Sequence, residues 1–169
     1  MKWTTIVFSL MIACTLMADN PLSPGASTTA TINGKKLTIA YSAPAIRGRK
    51  IMGGVVPYGE VWRTGADEAT KFETEADLDI GGLKVPKGAY TIYTLPGAGE
   101  WQLIVSKQTG QWGTEYNQPQ DLGRVKMNMV QTPAPVQRLK IELLSTSGNK
   151  GLLKITWERT ELSVPFTPQ

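Results

Sequence analysis

Arg47, Arg49, Lys50 and Arg63 share one stretch, residues 47–70, with Glu60, Asp67, Glu68, Tyr58, Trp62 and five glycines. The stretch follows neither the helical nor the strand period. Guanidinium forks suit carboxylate, phosphate or sulfate, and flat aromatic faces suit sugar rings or other planar groups. Glycines open turns and close approaches, and irregular segments of this kind carry contacts with other molecules. A second irregular polar segment, residues 108–123 (QTGQWGTEYNQPQDLG), adds Trp112, Tyr116 and Asp121. The expected ligand-binding set is therefore Arg47, Arg49, Tyr58, Trp62 and Arg63, with Trp112 and Tyr116 closing the far side of one cleft. The competing reading is architectural: Trp62 plugs one end of the fold and Arg63 pins its loop to an acid. Trp101 and Trp157 fall at core-phase positions of strands and read as structural.

Composition removes several chemistries. The chain of 169 residues has no histidine, so Ser-His-Asp triads, imidazole bases and histidine-rich metal sites cannot be built. The single cysteine, Cys14, lies in a segment that export would remove or acylate. Carboxylate chemistry remains, and glycoside hydrolysis needs two carboxyl groups about 5–10 Å apart. Glu68, Asp121 and Glu60 are the weak candidates for such a pair. Asp67 and Glu68 are neighbours and would point to opposite faces of a strand. Asp67, Glu68, Asp77, Asp79 and Asp121 could serve a hard cation, but no loop places acids at alternate positions with a fixed glycine. No metal site and no cofactor are expected.

The elements that must position these residues read as strands. Leu37, Ile39 and Tyr41 alternate with Thr38, Ala40 and Ser42; Leu139, Ile141 and Leu143, then Leu153, Ile155 and Trp157, then Leu162, Val164 and Phe166 repeat the pattern. Asn33-Gly34 and Gly81-Gly82 are two-residue hairpin loops. They set Ala30 opposite Leu37, and Ile80 opposite Leu83 with Asp79 facing Lys84. Further turns fall at Lys87-Gly88, at residues 96–99 and at 147–151. Residues 90–95 are apolar on both faces and predict a central strand with a covering layer. Eight or nine strands of this kind predict an all-β, antiparallel two-sheet sandwich, jelly-roll-like, with a short helical stretch at most around residues 59–64.

Lys2 followed by an apolar run to Ala13 has the form of a secretory signal and is too short for a membrane span of about 20 residues. Cleavage after Ala18 leaves a soluble protein. The alternative is a lipobox, Met11 to Cys14, with Cys14 acylated as the only link to a membrane. Residues 19–27 form a short leader and 28–169 a single domain. One cysteine excludes an internal disulfide, so packing must stabilise the fold; a chain of about 150 residues buries roughly 68–70% of its unfolded surface. The formal charge is +4, and bases scattered rather than clustered give no support to nucleic-acid binding. The expected location is the periplasm or the exterior, with an outer-membrane lipoprotein as the alternative.

Pro57-Tyr58-Gly59, Val61-Trp62-Arg63-Thr64-Gly65-Ala66 and Glu68-Ala69-Thr70 resemble the hallmark stretch of a bacterial family, domain of unknown function 2911. Arg47-Gly48-Arg49, Val85-Pro86 with Gly88 and Tyr90, the Trp101 strand, Gln111-Trp112-Gly113, Asp121, Trp157-Glu158 and Val164-Pro165 extend the resemblance over almost the whole chain. It implies an exported, β-rich envelope protein and carries no activity. It also implies Asn at the position of Asp67, which argues against a catalytic acid there, since an amide cannot transfer that proton. The residues together point to a non-catalytic binding module for a small polar or anionic ligand or glycan. A carboxylate-dependent hydrolase of envelope glycans and a structural docking domain of an envelope complex are the alternatives. Oligomeric state is left open.

Overall fold

The computed structural model describes residues 23–169. The expected signal, the Cys14 lipobox and the start of the leader lie outside the described residues. Nine strands follow in order: β1 Gly25–Ile32, β2 Lys35–Ser42, β3 Ala66–Thr74, β4 Leu78–Ile80, β5 Leu83–Val85, β6 Gly88–Leu95, β7 Trp101–Ser106, β8 Asp121–Ser145 and β9 Gly151–Pro168. Residues 25–27 of the expected leader are thus already strand. The only helical element among the described residues is a 3-10 turn at Gln118–Gln120, and the stretch 59–64 is not helical. There Trp62 instead makes a bridge to Thr94 of β6.

Both hairpin registers match their turn chemistry. Ala30 pairs with Leu37 and Thr28 with Ile39 across Asn33-Gly34, while Ile80 pairs with Leu83 and Asp79 with Lys84 across Gly81-Gly82. Asn33, Gly34, Gly81 and Gly82 all have positive φ, which is why these residue types occupy the loops. A one-residue slip would turn Leu37 and Ile39, both fully buried, out to solvent.

The all-β, antiparallel part of the expectation holds, but hydrogen bonding joins the strands into one sheet, in the order β1-β2-β3-β6-β7-β8-β9-β4-β5. The reason is β8. Its 25 residues pair with β7 through the first part and with β9 through the rest, with register shifts between Gln131, Val136 and Lys140. The sheet then rolls onto itself. The Ile141 and Leu143 N–H groups of β8 donate to Tyr41 Oη (3.0 Å) and Thr28 Oγ1 (3.2 Å), and residues after β2 join β8 through the Ala45–Arg138 bridge.

Apolar side chains from all nine strands meet inside this roll, among them Leu37, Ile39, Phe72, Leu103, Leu139, Ile141 and Trp157. Trp101 and Trp157 are each 1% exposed, as their strand phase predicts. Residues 90–95 of β6 are covered on both faces. Tyr90 and Ile92 face the core, and Tyr93 packs edge-on against Tyr116, 5.0 Å between ring centroids, so the segment between β7 and β8 is the covering layer.

Candidate functional site

Residues 43–65 connect β2 to β3 without regular structure and fold back over the open end of the roll. Trp62 is driven inward: its indole stacks on Trp157 at 5.8 Å and 18°, with the edge of Trp101 at 6.4 Å and 82°. Three indoles so arranged anchor the end of the core. The turn beyond Trp62 is fastened by buried threonines. Thr64 Oγ1 lies 3.3 Å from the Trp62 carbonyl and 3.2 Å from Thr94 Oγ1, and Thr70 Oγ1 donates to the Thr64 carbonyl at 3.0 Å. On the other side of the segment, the Met52 N–H donates to Glu158 Oε2 at 3.2 Å, which ties residues 51–56 to β9.

Above the indoles lies a hollow of about 500 Å³, lined by Arg47, Arg49, Arg63, Asp67, Trp62 and Trp157, with Ser23, Pro44, Val55, Gly65 and Ala66 completing its wall. That volume suits a small molecule. Among the described residues, three that bear guanidinium groups and one carboxylate, Asp67, line this space. Arg49 holds its loop, donating to the carbonyls of Ala45 (2.7 Å) and Ile46 (3.1 Å). Arg63 makes one long bond, Nε to the Gly65 carbonyl at 3.3 Å, and neither it nor Arg49 forms an ion pair among the described residues. Arg63 therefore does not pin the loop to an acid.

Backbone strain gathers at this hollow. Arg47 and Asp67, which line it, have φ of 51° and 59°; Thr64 and Glu158, adjoining Arg63 and Trp157, have φ of 55° and 53°. Non-glycine residues adopt such angles only where surrounding contacts hold them.

The second polar segment meets the first along a short ribbon. The Gly113 N–H donates to the Asp67 carbonyl at 3.0 Å and the Ala69 N–H to the Gln111 carbonyl at 3.3 Å, making Glu68 and Trp112 direct cross-strand neighbours. Contact is close enough that a Cβ on Gly113 would fall 2.4 Å from Arg63 Cδ and 2.6 Å from the Asp67 carbonyl oxygen. The two segments are therefore at the same end of the molecule, but they do not close one cleft. Trp112, 49% exposed, lines a neighbouring hollow, while Tyr116 lines neither.

Tyr116 is taken up internally. Its hydroxyl donates to Asp121 Oδ2 at 2.6 Å and accepts from Arg124 Nη2 at 2.8 Å, and Arg124 pairs with the same carboxylate oxygen at 3.1 Å. Burial, reinforced by the hydrogen bond to Asp121, pushes the Tyr116 phenol up to about 12. Tyr58 is 47% exposed and outside the arginine-lined hollow, its ring filling the space beside Gly53.

The candidate acids are dispersed. Asp67 lines the arginine hollow and Glu68 the neighbouring one, the opposite facing expected of adjacent residues. Glu60 borders neither, and Asp121 is held by Tyr116 and Arg124. Glu68 thus shares a hollow with neither of its candidate partners. Asp79 faces Lys84 across its hairpin and is held below the usual carboxylate range by that lysine's hydrogen bond and the Gly82 N–H. Among the described residues no three metal-ligating side chains gather.

Two contributors carried no site signal in the sequence. Trp157 reads only as core, yet it lines the hollow through the indole stack. Gln111 is buried by its bonds to Thr91 Oγ1 (3.2 Å) and Tyr93 Oη (3.0 Å), partners on a strand about twenty residues away in sequence.

No curated protein and no solved structure matches the chain. Residues 23–166, including both polar segments, the first eight strands and all but the end of β9, match the family described as protein of unknown function (DUF2911), and the chain belongs to that family.

Proposed function

We propose that the arginine-lined hollow binds a small anionic molecule without turning it over. The observation that carries this reading is the convergence of Arg47, Arg49 and Arg63 around one space of about 500 Å³, in which Asp67 is the one carboxylate among the described residues. Charge-assisted bonds from guanidinium to carboxylate, phosphate or sulfate are short and strong, and a partly enclosed space screens them less than open water does. A neutral glycan is favoured less. The face of Trp62 that a sugar ring would need is stacked on Trp157, and Trp62 is only 9% exposed, so the indoles offer a wall rather than a platform. The strained backbone at Arg47 and Asp67 supports a binding role, because such conformations cluster where a ligand is clamped.

The protein would act outside the cytoplasm as an exported domain, a reading that rests on the apolar run after Lys2 and the Ala18 exit. A thermal-shift screen of the purified mature protein with sulfate, phosphate, citrate and sugar phosphates tests the site. At least one anion raises Tm, less so as ionic strength rises, and Arg63→Ala weakens that anion about tenfold, the loss of one charge-assisted bond. An unshifted Tm with every anion, or equal affinity in Arg63→Ala, removes the proposal.

A further inference from the structure

The hollow on the other side of the Asp67–Glu68 step has the opposite character. It encloses about 490 Å³ between Glu68, Lys71, Glu73, Thr91, Gln111 and Trp112, with small residues between them. Its chemistry is that of a receptor for positive charge. The Lys71 ammonium is paired with Glu73 at 2.6 Å, which cancels that charge locally. Glu68 is left as a carboxylate with no hydrogen-bond or ion-pair partner among the described residues.

Glu68 stands directly opposite Trp112 in the ribbon. The flanking bonds, Gly113 N–H to Asp67 and Ala69 N–H to Gln111, make them a non-hydrogen-bonded pair, the closer kind, with side chains on one face. Trp112 is the most exposed large aromatic among the described residues, at 49%. An open indole beside an unpaired carboxylate attracts cations through its π face and through charge together. Gln111 belongs to the wall: it is 9% exposed, and its Nε2 is held by Thr91 Oγ1 and Tyr93 Oη, so recognition falls to Trp112 and Glu68.

We propose that this hollow is a second binding site, for a small organic cation of ammonium or guanidinium type, seated on Trp112 and countered by Glu68. Both side chains are exposed, so the site makes small demands on the fold. It stands independently of the arginine-lined hollow.

The test titrates the full mature chain with choline, with agmatine, and with 3,3-dimethylbutan-1-ol as the uncharged counterpart of choline, following the Trp112 indole N–H by nuclear magnetic resonance. Trp112→Phe assigns the signal. Saturable shifts with at least one cation are expected, with the alcohol about tenfold weaker or silent. Isothermal titration calorimetry, which does not depend on the indole signal, compares the variants: Glu68→Gln weakens the cation about five- to tenfold at unchanged Tm, and Trp112→Ala weakens it further while Trp112→Phe retains part of the affinity. Equal response to the alcohol, no saturable response to either cation, or a Glu68→Gln variant that binds as well as the parent overturns the proposal.

Discussion

The segments 47–70 and 108–123 are alike in composition, each irregular, polar and furnished with aromatics and charge, and they touch. Their polar groups meet opposite fates. In the second, Tyr116, Asp121 and Arg124 satisfy one another, and the Gln111 amide N–H groups go to Thr91 and Tyr93, so most of its polarity holds a covering layer onto β6. In the first, the indole of Trp62 goes into the core while the guanidinium of Arg63 is left at the edge of a hollow with a single long bond. Residue type sets what a segment can bind. Whether that capacity faces outward depends on partners delivered by distant strands.

The largest effect separates the anchor from the surface. Trp157→Ala removes the stacking partner of Trp62 and a 1% exposed indole, and is expected to cost about 3–5 kcal/mol in denaturant unfolding, with loss of anion binding as the wall collapses. Trp112→Ala, its exposed counterpart, should change stability by less than about 0.5 kcal/mol. Equal losses would mean that the two segments are not different in kind.

Gly113→Ala tests the seam. The new methyl meets Arg63, which can swing away, and the Asp67 carbonyl oxygen, which cannot without moving the ribbon. A cost of about 1–3 kcal/mol is expected, together with weaker anion binding, measured by unfolding and titration on one sample. Unchanged behaviour in both would show that the seam is loose.

Tyr116→Phe should cost about 1 kcal/mol at neutral pH, the loss of one hydroxyl between Asp121 and Arg124, and should leave anion binding intact. It also changes the alkaline limb of stability. Burial and the hydrogen bond to Asp121 push the folded phenol up from 10.0 to about 12, so its contribution is complete below about pH 10 and is lost as pH rises through about 12. Unfolding followed across that window should fall less steeply in the variant than in the parent.

Local rules made much of the scaffold legible. Asn33-Gly34 and Gly81-Gly82 fixed two registers residue by residue, because a two-residue loop and a period-two pattern each determine the pairing and here agree. The doubly apolar face of residues 90–95 required a cover, and one exists. The joining of the strands into one sheet was not legible. The start of β8 reads as loop, since Asp121 and Gly123 are poor strand formers, and only pairing with β7 makes it a strand. The arginines were recognisable by type, but the departure of Tyr58, Trp112 and Tyr116 from their hollow was not. Tyr116 turns away because Asp121 and Arg124 lie beside it, and Arg124 belongs to a strand that the sequence did not announce.

The unbroken run of β8 bears on how the protein comes apart. A strand that serves β7 along its first stretch and β9 along the remainder gives neither flank a seam at which to detach, since peeling either one strips the neighbour of the other. Melting should proceed in a single cooperative step. The kink near residues 131–136, where pairing loses step and the chain is largely uncovered, is then the place where a protease could nick the backbone and leave both fragments clasped together.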